Sequence, residues 1–129
     1  GESKLAKAEP LSVVEQMFRN LKLDYQSELK QYIEHNARPV PPMKVRKKPQ
    51  GREKFRVSLA MVGDKIQVKD SQAIGGNLDE SLHDSMHIAL KRLKSMPPAP
   101  EAIAEQSFSV EVELDFSRCK RATSTWICF

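Results

Sequence analysis

The sequence predicts an α+β domain, a two-layer sandwich in which a small three-stranded antiparallel sheet carries helices packed on one face. Three patterns predict it. Residues 107–116 alternate strictly, Phe108, Val110, Val112, Leu114 and Phe116 against Ser109, Glu111, Glu113 and Asp115, the period of a strand with one dry and one wet face. Phe55 to Val62 repeats that alternation and runs through Gly63-Asp64 into a second apolar-marked run, Ile66, Val68 and Ile74. Stretches on either side of this hairpin carry apolar residues three and four apart, the stripe of a helix that buries one side.

In chain order, residues 1–10 mix Lys, Ala, Glu and Ser without an apolar face and are expected to be a linker or tag remnant, followed by a folded domain over 11–118 and a C-terminal tail over 119–129. Val14, Met17, Phe18 and Leu21 form one helical stripe and Tyr25, Leu29, Tyr32 and Ile33 a second; Asp24 is placed to cap the second, so two helices, or one kinked near Asp24, are expected on the core. Arg38 to Gly51 holds Pro39, Pro41, Pro42 and Pro49, which lack a backbone donor, and reads as an extended connector. Gly63 leads the hairpin turn because the first position of such a turn needs a positive backbone angle.

Gly75-Gly76 ends the second strand, and Asn77 with Glu80 three positions on is a variant of the reciprocal box that starts a helix. Leu78, Leu82, Met86, Ala89, Leu90 and Leu93 then share one helical face, with Lys91, Arg92 and Lys94 where the helix dipole favours cations. Met96 to Pro100 stops this helix, and Glu101 to Gln106 has room for one short turn. Burying the five apolar residues of the last strand is worth about 8 to 15 kcal/mol gross, at about 1.5 to 3 each, so that strand anchors the fold.

A chain of 129 residues makes one domain and excludes a multidomain enzyme. Its net charge of +4 is local: Lys44, Arg46, Lys47, Lys48, Arg52 and Lys54 against Glu53 give 44–54 a charge of +5, and the remainder −1. Such a run among prolines is usually a solvated loop, and it lacks the aromatics on which single-stranded nucleic acids stack, so nucleic acid is not the favoured partner. Cys119 and Cys128 allow one bridge at most and fit no four-ligand zinc site.

The order of these pieces resembles the C-terminal periplasmic domains of the TonB and TolA energy-transducing family over Tyr25 to Phe116. Arg38-Pro39-Val40-Pro41-Pro42 is similar to the family's proline segment, Val62 to Ile66 to its hairpin turn, and Ile74-Gly75-Gly76 to its small-Gly loop. Leu78 to Leu82 is similar to its Phe-Asp-x-Ser helix start, and Met96 to Pro100 to its proline exit. The turn here lacks the usual proline, and the connector is longer and more basic.

The resemblance implies a binding module of the periplasm, tethered to the inner membrane by a stalk, that needs no cofactor and transmits force. It implies partners that add as a strand at a sheet edge, here along Ser107, Phe108, Ser109, Val110, Glu111, Val112, Glu113, Leu114 and Asp115. Those partners would be outer-membrane receptors or periplasmic protein segments, inner-membrane motor proteins through a preceding part of the protein, and phage coat proteins or bacteriocins; homodimer formation stays open. An oxidising periplasm would favour a Cys119–Cys128 bond.

His83 and His87 sit four apart on the third expected helix, the spacing of a shared metal ion. At 100° per residue from Leu82, however, His83 falls at the margin of the buried face and His87 toward solvent, with no third ligand, so two surface histidines and no metal are expected. No serine or cysteine sits in a nucleophile elbow and Gly75-Gly76 lacks the rest of a phosphate loop, so an enzyme is not expected. Two other classes stay open: a small nucleic-acid-binding domain using loop 44–54, and a secretion or conjugation accessory domain of the same fold.

Overall fold

A computed structural model of the chain describes residues 12–43 and 45–129. The expected linker at 1–10 lies outside the described residues, as do Leu11 and Lys44.

Helix α1 (Val13–Asn36) is one continuous helix. It starts at a reciprocal cap: the Ser12 hydroxyl accepts from the Glu15 amide at 3.1 Å, and the Glu15 carboxylate accepts from the Ser12 amide at 2.9 Å. The expected break near Asp24 is corrected, because no glycine or proline interrupts Val13–Asn36 and Asp24 is an exposed mid-helix residue. The helix ends where the Ala37 amide donates to Ile33 O at 2.8 Å and Pro39 follows. Tyr25, Leu29 and Ile33 are buried, as their spacing predicts. The first stripe is a second correction. Val14, Met17 and Phe18 are exposed and only Leu21 is half-buried, because α1 runs past the start of the sheet's last strand, where Tyr25 already meets Phe108 edge-on at 4.9 Å.

The connector over residues 37–51 contains neither helix nor strand among its described residues. Strands β1 (Arg52–Val62) and β2 (Lys65–Gly76) then form the hairpin around Gly63-Asp64. Gly63 has φ +67° and Asp64 stays at negative φ, the type II′ pattern whose twist matches the strands. At the far end Gly76 is required by close approach: a Cβ there would collide with Arg52 O and sit 2.7 Å from the Glu53 Cα. Beside it the buried Glu53 carboxylate accepts from the Gly75 amide at 3.0 Å.

The segment after β2 departs from the expected cap. Asn77 does not start a helix; its side chain accepts from the Arg52 amide at 2.8 Å and its own amide donates to Arg52 O, which pins the start of β1. Asp79 is the cap instead, accepting from the Ser81 amide and hydroxyl, and a single 3₁₀ turn (Glu80–Leu82) leads into α2 (His83–Lys91). These bonds from Ser81 hold the Asp79 carboxyl below the usual carboxylate range, with Lys47 and His83 adding to the effect. Leu78, Leu82, Met86, Ala89 and Leu90 are buried and Leu93 partly so, but α2 itself holds only Met86, Ala89 and Leu90 of that stripe: it stops at Lys91, before the expected Arg92 and Lys94 and well before Met96, and Leu78 and Leu93 lie outside it.

The proline exit is tied to α1 by two tyrosines, Tyr25 donating to Pro97 O and Tyr32 to Lys94 O, each at 2.6 Å. Burial, with the Glu28 charge second, pushes the Tyr25 hydroxyl up to about 12, so it remains a donor. One 3₁₀ turn (Glu101–Ile103) precedes β3 (Phe108–Asp115).

The sheet order is β2-β1-β3, all antiparallel, and both helices cover one face. Phe55, Val57 and Leu59 lie opposite Val112, Val110 and Phe108 and complete the core under Leu29, Ile33 and Met86. This is the predicted small α+β fold. A second, two-stranded sheet was not expected from the sequence. Residues 119–129, read there as a tail, form β4 (Cys119–Ala122) and β5 (Thr125–Cys128), with Cys119 directly opposite Cys128 and a disulfide joining them. Cys119 is buried in the main core, and Trp126 and Cys128 pack against it.

Candidate functional site at the outer edge of the sheet

With β1 in the centre, β2 and β3 are the two edges, and each edge displays backbone groups the sheet itself does not pair. The edges differ. Along β2, two irregularities against β1, at Lys54/Phe55 and Ser58/Leu59, leave Ile74 and Lys69 as extra residues, and Lys91 of α2 donates to Lys69 O at 3.3 Å. Bulges of this kind twist an edge away from further pairing. Strand β3 pairs with β1 residue for residue from Phe108 to Asp115 without a shift. Ser107 lies just before it.

The direction of each β3 amide follows from two bonds. The Phe116 amide donates inward to Gly51 O at 3.0 Å, and the Glu113 amide donates outward, to the Glu34 carboxylate of α1 at 2.8 Å. Alternation then turns the amides of Ser109, Glu111 and Asp115 outward and those of Val110, Val112 and Leu114 toward β1. Tyr25 lies at Phe108 and Glu34 at Glu113, so α1 runs beside β3 in the same sense, and Glu34 reaches from the helix to the edge. Glu34 is also bonded to Lys30 at 2.8 Å, and with Lys54, Glu111 and Glu113 these two side chains line a groove of about 290 Å³ along the edge.

Glu111, Glu113 and Asp115 are exposed on the wet face, as their alternation predicts, but they do not stand alone there. Arg56 lies opposite Glu111 with its guanidinium 3.2 Å away, Arg52 approaches Glu113 at 3.7 Å, and Lys54 is Glu113's register partner. These exposed pairs contribute little stability each, but they offset the acidic charge of the strand. The sequence missed this because two bases of the run, with Arg56, supply the other side of the face. Arg52 and Lys54 belong to β1, whereas Arg46, Lys47 and Lys48 stay exposed on the connector, lining a depression with Asn77, Asp79 and Ser81. The described bases of 44–54 are thus divided between two places.

The histidines are not the surface pair that the spacing predicts. Both are half-buried and pack edge-on against Phe55, His83 with Nε2 3.7 Å from Glu53 Oε1 and His87 with Nδ1 2.6 Å from Ser71 Oγ. Leu82 lies in the 3₁₀ turn, where each residue advances about 120°, so counting 100° steps from it misplaces the helix that follows. Counted from the buried Met86, His83 and His87 fall about 60° and about 100° to the same side, facing β2 and Phe55. Among the described residues no three His, Cys, Asp or Glu side chains are grouped to hold a metal ion, and no described helix is long and apolar enough to cross a membrane.

No protein-family model matches the chain, and no curated protein or solved structure matches it either.

Proposed function

We propose that this domain is the partner-capture module of a TonB/TolA-like energy-transducing or envelope-spanning protein. It acts in the periplasm at the end of a stalk anchored in the inner membrane, and it is not an enzyme. An extended segment of an outer-membrane receptor or other periplasmic protein adds as a fourth strand beside β3, and the attachment carries pulling force through the sheet to α1. The observation that supports this reading is the asymmetry of the two edges: β3 is regular along its whole length, while β2 is bulged twice.

The Glu34 carboxylate already occupies one outward donor, at the place where a partner's carbonyl would bind, so strand addition replaces that one bond with a ladder. Because Arg52 and Arg56 offset the acids of β3, the wet face of an added strand has no need to be basic. The test is titration of the ¹⁵N-labelled domain with receptor-derived peptides at low and high salt. Shifts centred on residues 107–115 with weak salt dependence are expected. Shifts confined to the described residues of 45–54, with affinity falling steeply with salt, would replace this reading with phosphate binding by the connector.

A further inference from the structure

The N-terminal half of α1 carries an apolar stripe that, before Leu21, stays exposed among the described residues. Val14 is 59% exposed, Met17 60% and Phe18 41%. At about 100° per residue, Phe18, Leu21 and Tyr25 lie within about 40° of Val14, and Met17 about 60° to one side. The exposed stripe is therefore the continuation of the one that Tyr25, Leu29 and Ile33 bury against β3. A helical stretch of about twelve residues is marginal alone in water, whatever its cap, and needs a packed face.

We propose that this face is covered by the same face of a second copy, the two α1 N-terminal halves packing antiparallel about a two-fold axis near Phe18 and Arg19. The charges flanking the stripe select this partner and this direction. Glu15 and Lys22 lie on the same flank, about 100° and about 80° from Val14, and equally far along the helix on either side of the proposed axis. In an antiparallel pair each flank faces its own copy, so Glu15 of one chain meets Lys22 of the second, and the contact occurs twice. Phe18 then meets its counterpart at the axis, and Val14 packs on Leu21 of the second copy. The opposite flank presents Asn20 and the exposed Val13 and Met17, with Asp24 near the interface rim.

The apolar area involved is small, which places the dimer among weak pairs. It leaves both β3 edges free, because the contact lies beyond Tyr25. The pairing does not depend on the strand-addition reading, since it uses no residue of that edge.

Sedimentation equilibrium of the 129-residue chain over a wide concentration range tests it, with circular dichroism as the fold control. A reversible monomer–dimer equilibrium is expected. Combining Met17→Glu with Phe18→Glu should raise the dissociation constant at least tenfold without lowering the melting temperature of the monomer. Lys22→Glu should weaken the dimer severalfold by setting two carboxylates against each other. Adding Glu15→Gln to Lys22→Glu should recover much of the loss, because glutamine keeps the reciprocal cap with Ser12 and removes the repulsion.

A chain that stays monomeric at all concentrations would overturn the proposal, as would a dimer indifferent to Met17→Glu with Phe18→Glu. So would a melting temperature of the monomer that falls with that pair, since the stripe would then be covered within one copy. Failure of Glu15→Gln to rescue Lys22→Glu would place the effect of Lys22 in its contact over the Phe108 ring, 5.9 Å away, and refute the antiparallel geometry.

Discussion

Removing Glu34 should make the domain less stable and a better binder. In the free domain its carboxylate accepts from the outward Glu113 amide at 2.8 Å and from Lys30 at 2.8 Å. A hydrogen bond to a charged acceptor contributes about 1.5 to 3 kcal/mol when screened from water. The Glu34 side chain is 30% exposed, so about 1 kcal/mol is a fair net value, with a few tenths more from the i,i+4 pair to Lys30. An incoming strand has to displace the bond to Glu113 and so forfeits that amount. Glu34→Ala releases the donor in advance and keeps the helix, alanine being its best former. Stability to urea should fall by about 1 kcal/mol, and the affinity for a receptor-derived peptide, measured by titration calorimetry, should rise about fivefold, which is the same free energy at 25 °C. The opposite signs are diagnostic. An affinity that falls with stability, or does not change, would refute the replacement of Glu34 by a partner carbonyl.

Gly76→Ala should destabilise by about 2 kcal/mol or more in chemical denaturation, because its Cβ would collide with the Arg52 carbonyl and with the Cα of buried Glu53, neither a flexible end. Reduction of Cys119–Cys128 reopens a loop of about ten residues, and the chain-entropy relation gives a loss of about 2.5 kcal/mol, read as a lower melting temperature in reductant, with Trp126 fluorescence following the hairpin. Acid should loosen the start of α2. Asp79 has its folded pKa depressed, chiefly by its bonds from Ser81, so its contribution is complete above the unfolded carboxylate range and is lost as pH falls through it to the folded pKa; Asp79→Asn should flatten that part of the profile in amide exchange of Ser81 to Met86.

What the sequence made legible was the part of the fold governed by period. The alternation in 107–116 and the hairpin about Gly63-Asp64 each encode a buried face directly and are found as read, and the apolar residues from Leu78 to Leu90 are buried although the α-helix covers only His83–Lys91. Features set by distant contacts were hidden. Val14, Met17 and Phe18 have the same pattern as Tyr25, Leu29 and Ile33, and only the position of β3 along α1 decides which stripe is covered. Asn77 looks like a helix cap until Arg52, twenty-five positions earlier, takes its side chain. Ser12 and Glu15 did carry a local signal, the Ser-x-x-Glu box, that marks the true start of α1. At the candidate edge the strand was readable from alternation, but the Glu34 contact at its seventy-nine-residue separation was not. Nor was the charge balance on the wet face, which depends on the β1–β3 register.

The most direct measurement of strand addition is amide hydrogen exchange along β3 with and without a bound receptor-derived peptide. The account predicts that the outward amides of Ser109, Glu111 and Asp115 become protected together, while Glu113, already bonded to Glu34, and Val110, Val112 and Leu114, already turned to β1, change little. Protection that appears on β2 or on the connector, with the outward amides of β3 exchanging as in the free domain, would contradict it.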